Sequence, residues 1–325
     1  LACLLQSPSI RPHITDVLYN PRLFICTDEN RMKSEGDYDA ELFSEIMINR
    51  FSYASSTNMH YSVKYLRIID KLIESPLTQY QIAMVQKLAA PMLQDTVFTF
   101  NTVYTSTGSN KQVYIADKMS CHMLRLAANL GGISEMVYNA MFFYKKLRYK
   151  EALYVIENIK VMLAQPGLMY RDKVDLVKYI EAFGGLSWST KMRKTLFHDI
   201  MLNNKTCYIN DLTLEQQFAL QNFRDRLFIP LFVILHFVEF LCYRHIDTAL
   251  AQTALENLQV LVHYDQGLYV HAMYRDISWN ILGICQQMTG NHMAALYSYQ
   301  KSLEQFPFHR IQDATHMRIQ ELHAP

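Results

Sequence analysis

The stretch WNILGICQQMTGNHMAALYSYQKSLEQFP, Trp279 to Pro307, decides how the rest of the chain is read. Its apolar residues recur three and four apart on both sides of Gly290 and Asn291, the spacing of two amphipathic helices joined by a tight turn. Each half carries one small residue, Gly283 and Ala295, where closely packed helices leave no room for a larger side chain. Trp279, Leu282 and Tyr299 are placed to fill the seam, Gly290 and Asn291 to turn the chain, and Pro307 to stop the second helix.

Numbered from Asp276, these residues follow the tetratricopeptide pattern W-x2-L-G-x2-Y, then A-x3-F, then P, over roughly 34 residues. Trp279, Leu282, Gly283, Ala295 and Pro307 match, Tyr299 stands in the Phe slot, and Gln286 departs where Tyr is usual. The unit covers residues 276–309, and its pattern predicts that Gly283 and Ala295 face each other across the hairpin. A second unit emerges when Ala152 is set in the slot of Ala295. Ala140 then takes the Gly slot, Ile156 the aromatic one, LRYKEAL supplies the turn, and Pro166 falls two residues late. The distance from Ala152 to Ala295 is not a whole number of repeats of roughly 34 residues, so the array is interrupted between them. Residues 230–264 have the lengths of another pair, but Phe237 would fill the small-residue slot. The expectation is an all-α fold in which tetratricopeptide-like hairpins stack into an irregular α-solenoid, since a single hairpin cannot bury its apolar face alone.

Composition agrees with a helical protein carrying a large core. Half of the 325 residues are hydrophobic, and Gly and Pro number only 10 and 9. The 31 basic and 30 acidic residues nearly cancel, so no global field draws the chain to nucleic acid or acidic lipid. Six cysteines lie far apart with no CxxC pair, which reads as reduced thiols and a cytoplasmic setting. The apolar run from Leu227 to Tyr243 contains Pro230, His236 and Glu239 and is too short to span a bilayer; it reads as a buried helix, with no membrane partner.

The organisation expected is an irregular lead-in over 1–38, a helical region over 39–130, a repeat-like hairpin over 131–166, an irregular helical insertion over 167–228, and repeat-like pairs over 229–325. Helices are predicted at 39–51, 57–74, 78–105 with Pro91 inside, and 111–130, and a last one at 309–322. The chain opens on Leu1 rather than Met, so it reads as a fragment whose lead-in is the tail of an upstream domain.

Candidate chemistry is weighed against packing at each place. Asp37 and Asp39 in SEGDYDAE form a D-x-D pair that could hold Mg²⁺, but without a Gly-rich phosphate loop upstream they read as a helix cap, with Glu41 favouring the helix N-terminus. His236, Glu239, Cys242 and His245 step three residues at a time, a spacing that drifts around a helix and matches no metal motif, so they read as core or interface. SYQK, Ser298 to Lys301, meets S-x-x-K formally but lies inside a repeat helix. NKT at Asn204 is a glycosylation sequon relevant only to a secreted chain. Lys145, Lys146, Arg148 and Lys150 lie among Phe142, Phe143, Tyr144 and Tyr149, a candidate basic contact patch for nucleic acid, whose plainer reading is solvated charge over buried rings. A carboxylate clamp of the chaperone-binding kind needs Lys and Asn at the fifth and ninth positions of a unit; Asn280 and Ile284, and Val137 and Met141, hold those places. No catalytic residue, cofactor or metal is assigned.

Several long segments, NKQVYIADKMSCHMLRLAANLGGIS, GLSWSTKMRKTLFHDI, FLCYRHIDTALAQTALENLQVLVHYDQG and RDISWNILGICQQMTGNHMAALYSYQKSL, resemble the C-terminal helical region of large invertebrate Mab-type proteins, which share the nucleotidyltransferase fold of cyclic GMP-AMP synthase. The resemblance implies a link to innate immunity. The family's catalytic Gly-Ser loop and acidic residues belong to an N-terminal domain not contained in this sequence. Gly108 and Ser109 are a lone pair between helices, and Asp37 and Asp39 precede them. The function expected is a non-catalytic interaction or regulatory module, binding a protein or peptide in a helical groove or the upstream domain in cis. The alternative is an accessory region of a nucleic-acid sensor that touches nucleic acid through the basic patch.

Overall fold

A computed structural model describes residues 66, 69–70, 76–107, 109–170, 175–203, 207–219 and 226–323. Asp37, Asp39, Asn204, Gly108 and the helix expected at 39–51 lie outside the described residues. The described chain is mostly helical. In order it forms α1 (Gln79–Thr107), α2 (Asn110–Gly131), α3 (Ile133–Lys145), α4 (Tyr149–Leu163), α5 (Leu176–Phe183) and α6 (Trp188–Thr195). There follow α7 (Thr213–Ala219), α8 (Leu231–Tyr243), α9 (Thr248–Tyr264), α10 (Arg275–Met288), α11 (His292–Glu304) and α12 (Gln312–His323). Two compact units divide the chain: residues 1–135 with 161–197, and residues 136–160 with 198–325.

In the first unit α1 and α2 pack along their length around Ala90, Leu93 and Ala127, with Asn101 Nδ2 donating to Ser120 Oγ across the seam at 2.6 Å. Ser109 opens α2, its backbone N–H donating to Gln112 Oε1 at 2.8 Å, one half of the reciprocal cap that Ser followed by Gln provides. Pro91 sits inside α1. A Cβ added at Gly132, φ 107°, would meet the carbonyl oxygen of Arg193 at 2.8 Å, so this glycine lets α6 approach the end of α2.

The stretch expected as an irregular helical insertion also contains strands. β1 (Met169–Tyr170) pairs in parallel with β2 (Leu196–Phe197) in the first unit, and β3 (Ile200–Asn203) pairs antiparallel with β4 (Arg226–Ile229) in the second. The apolar run from Leu227 is therefore split: Leu227 to Ile229 are strand, Pro230 caps, and the helix begins at Leu231. Ladders of two and four residues are too short for alternation to be read from sequence. Tyr138 secures β3, its hydroxyl donating to the carbonyl of Met201 at 2.7 Å and accepting from the Met201 N–H at 3.1 Å.

In the second unit α8 pairs with α9 and α10 with α11, and α12 packs on α11. The chain turns between α3 and α4 at Leu147, whose φ is 59°, with Arg148 N–H donating to Phe143 O at 2.8 Å. Ala140 and Ala152, the small residues expected in this hairpin, are both fully buried. In the α10–α11 hairpin Gly290, φ 78°, makes the turn and Asn291 caps α11 by accepting from Ala294 N–H. The closest neighbour of Gly283 differs from the expected Ala295. A Cβ built on Gly283 would fall 2.5 Å from Cε1 and 2.6 Å from Cδ1 of Tyr299. The Tyr299 ring takes the volume the missing Cβ leaves, while Ala295 is buried one turn earlier on the same helix.

Gly283→Ala is expected to lower stability by about 1–2 kcal/mol, because overpacking against a buried ring outweighs the gain in helix propensity. Placed on a Tyr299→Ala background, the same substitution should be neutral or stabilising, which a double-mutant cycle by urea denaturation measures directly.

Candidate functional site

The residues expected to mark a repeat serve the seam between α10 and α11. Trp279, Leu282 and Tyr299 are buried, and Pro307 lies beyond the end of α11. Gln286, the departure from the pattern, is buried with its Oε1 accepting from Ser298 Oγ at 2.7 Å. An amide–hydroxyl pair thus replaces the usual ring, and each partner satisfies the other. Tyr299 donates its hydroxyl to Gln287 Oε1 at 2.6 Å, and burial pushes its phenol well above the ordinary range.

Asn280 and Ile284, at the positions read as groove-facing, are buried, as are Val137 and Met141. Asn280 Nδ2 donates to Thr315 Oγ1 of α12 at 2.9 Å. One turn earlier the Asp276 carboxylate accepts from the His309 backbone N–H at 2.9 Å and pairs with His309 Nδ1 at 2.7 Å, while Ser302 Oγ donates to the Asp276 carbonyl at 2.7 Å. Arg318 grips Glu215 with Nε and Nη2 at 3.0 and 3.1 Å and donates to the Asp211 carbonyl at 2.7 Å. Thr315 of the chain's own last helix thus meets Asn280 of α10, and Arg318 ties that helix to the segment containing α7. Sequence reasoning missed these contacts: Asp276 and His309 are remote in the chain, and no local period links them.

The basic group is dispersed. Lys145 donates to the Cys207 carbonyl and is half-buried, and burial holds its ammonium below the ordinary lysine value. Lys146 sits 5.6 Å over the Phe142 ring and Arg148 4.6 Å over Phe143, and Arg148 also pairs with Glu151. Phe142 and Phe143 are themselves buried, and Tyr149 stacks on His245 at 4.3 Å. Lys150 is exposed. The rings needed for base stacking are thus engaged inside the protein, and the charges lie above them.

The other candidates also meet structural partners. Ser298 is buried on Gln286, and Lys301 pairs with Glu304 at 2.6 Å, so SYQK does not assemble a Ser–Lys dyad. His236 Nδ1 lies 3.2 Å from Glu239 Oε2, and the other Glu239 oxygen takes Lys160 of α4. Burial alone would raise the Glu239 carboxyl; the bonds to His236 and Lys160 outweigh it and hold the group below its ordinary 4.5. Burial pushes the Cys242 thiol up to about 12 and Cys285 well above its ordinary value. Cys207, Cys242 and Cys285 are free thiols. Among the described residues no three His, Cys, Asp or Glu side chains gather as a metal-ligand set, and no helix is long and apolar enough to cross a membrane.

No protein-family model, curated protein or solved structure matches the chain.

Because the folded Glu239 carboxyl is depressed, its ion pair contributes stability above pH 4.5, lost as pH falls through the lower folded value. Glu239→Gln should cost roughly 1–2 kcal/mol near neutrality, less than a fully buried pair because Lys160 is partly exposed. Urea titrations at descending pH should find the difference between variant and parent closing below pH 4.5.

Proposed function

We propose that the chain is a tetratricopeptide-like helical-repeat module that works by holding other macromolecules in place and performs no chemistry of its own. On the sequence resemblance, it would be the C-terminal helical region of a Mab-type, innate-immune-receptor-like protein, with protein, peptide or the upstream domain as partner. The observation that carries this reading is the seam between α10 and α11. A glycine at the repeat position receives a buried aromatic ring from the partner helix, the device by which such hairpins pack closely enough to stack. Side chains with reactive potential add support, since Ser298, Lys301, His236 and Arg148 each bond to a neighbour inside the same unit. With Asn280 and Ile284 buried, the partner would meet the outer helix faces and turns instead of the Asn280–Ile284 face.

The alternative, a nucleic-acid-binding accessory region, is separated by fluorescence anisotropy with labelled double-stranded RNA and DNA at about 50 and about 200 mM salt. The module reading expects no saturable binding at either salt. Tight binding that collapses at the higher salt and is lost on Lys145→Glu, Lys146→Glu and Arg148→Glu would overturn it.

A further inference from the structure

Three hairpin turns of the second unit come side by side. Tyr149, just past the α3–α4 turn, stacks on His245 in the α8–α9 turn with ring planes 3° apart. Arg244 of that same turn reaches the sulfur of Met288, where the α10–α11 turn begins, at 3.1 Å. Each turn, or the helix start that follows it, leaves a large apolar side chain exposed: Leu147 is 72% exposed, Ile246 43% and Met293, at the start of α11, 77%. The surrounding cations are Lys146, Arg148, Lys150 and Arg244. Against these four stand two acids, Glu151, which pairs with Arg148, and Asp247, which keeps its charge while capping the start of α9 through the N–H groups of Ala249 and Leu250. A chain of formal net charge +1 thereby carries a local positive edge.

Leu147 is the residue that packing leaves unexplained. Its φ of 59° is left-handed, a conformation that disfavours a Cβ. In the α10–α11 turn the left-handed residue is Gly290, with φ 78°. Neither backbone preference nor burial accounts for a leucine here. A ligand that takes up protruding aliphatic groups does.

We propose that this edge rests on an anionic lipid bilayer. Leu147, Ile246 and Met293 enter the zone between headgroups and acyl chains, while Lys150, Arg244 and Lys146 meet the lipid anions. The aliphatic character of the tips separates this ligand from nucleic acid, which is gripped by flat rings, and the rings near this edge are buried or stacked on each other. A protein partner would need a separate pocket for each tip, whereas the bilayer interface accepts any row of them.

Flotation of the 325-residue chain with phosphatidylcholine vesicles containing about one-third phosphatidylserine tests the proposal, with phosphatidylcholine alone as the comparison. The chain should float with the anionic vesicles and not with the neutral ones. Leu147→Asn suits the left-handed backbone, so its melting temperature should match or exceed the parent's while vesicle binding falls about fivefold or more. Lys150→Ala, at an exposed site, should weaken binding by about fivefold. Failure of the parent to float with phosphatidylserine vesicles overturns the proposal, as does parent-like binding by Leu147→Asn. Cation-dependent binding of double-stranded RNA that is indifferent to Leu147→Asn, in a chain that does not float, would assign the edge to nucleic acid.

Discussion

Tyr299 occupies the space that a side chain on residue 283 would claim, and the second half of the chain is organised around that exchange of volume. With the ring seated against bare backbone, α10 and α11 run close enough for Ser298 to reach Gln286 and for the Tyr299 hydroxyl to reach Gln287. Both bonds lie in a region where an unpaired polar group would be expensive, so they hold the register that the ring admits. The same register places Met288 and the following turn within reach of Arg244.

A second layer of constraint is polar. Asp276 joins His309, Asn280 joins Thr315, and Arg318 joins Glu215, so α12 is located at three points along its approach. Buried charged contacts of this kind contribute direction more than net stability, because desolvation offsets much of their attraction. Aliphatic packing alone would leave α12 freer to slide, since apolar contacts are not directional. One consequence bears on function: the face of α10 that a bound peptide would use in an open groove is covered by the chain itself.

Surfaces that remain outward are of two kinds. Helix faces carry charges paired with neighbours on the same helix, such as Lys301 with Glu304. The turn edge instead combines exposed apolar side chains with four cations, Lys146, Arg148, Lys150 and Arg244, against two acids, Glu151 and Asp247. Near neutrality over the whole chain conceals this, because charge balance is a sum and a contact surface is local.

Much of the helical framework was legible in the sequence. Gly290 and Asn291 with Pro307 marked the turn and end of the α10–α11 hairpin, and the breaks near Ser109 and Leu147 fell where helices end. Within the seam, Trp279, Leu282, Gly283, Ala295 and Tyr299 were recognisable as packing residues, although the partner of Gly283 was not Ala295 but the larger residue one turn on. Reading Leu227 to Tyr243 as one helix failed at its first residues, where three apolar side chains fit a strand as well as a helix until a second strand is present. The basic group was visible as a cluster, yet the rings beneath Lys146 and Arg148 could be read as buried or exposed only from the folded chain.

By itself, then, the sequence determined where helices start, turn and stop, since those events depend on capping, left-handed backbone and periodicity within a few neighbouring residues. Tertiary structure alone decided the β3–β4 ladder, the Asp276–His309 contact and the meeting of hairpin turns through Tyr149 with His245 and Arg244 with Met288. These join residues tens of positions apart, and no local rule carries information across that distance; only the packing of whole helices brings such partners together.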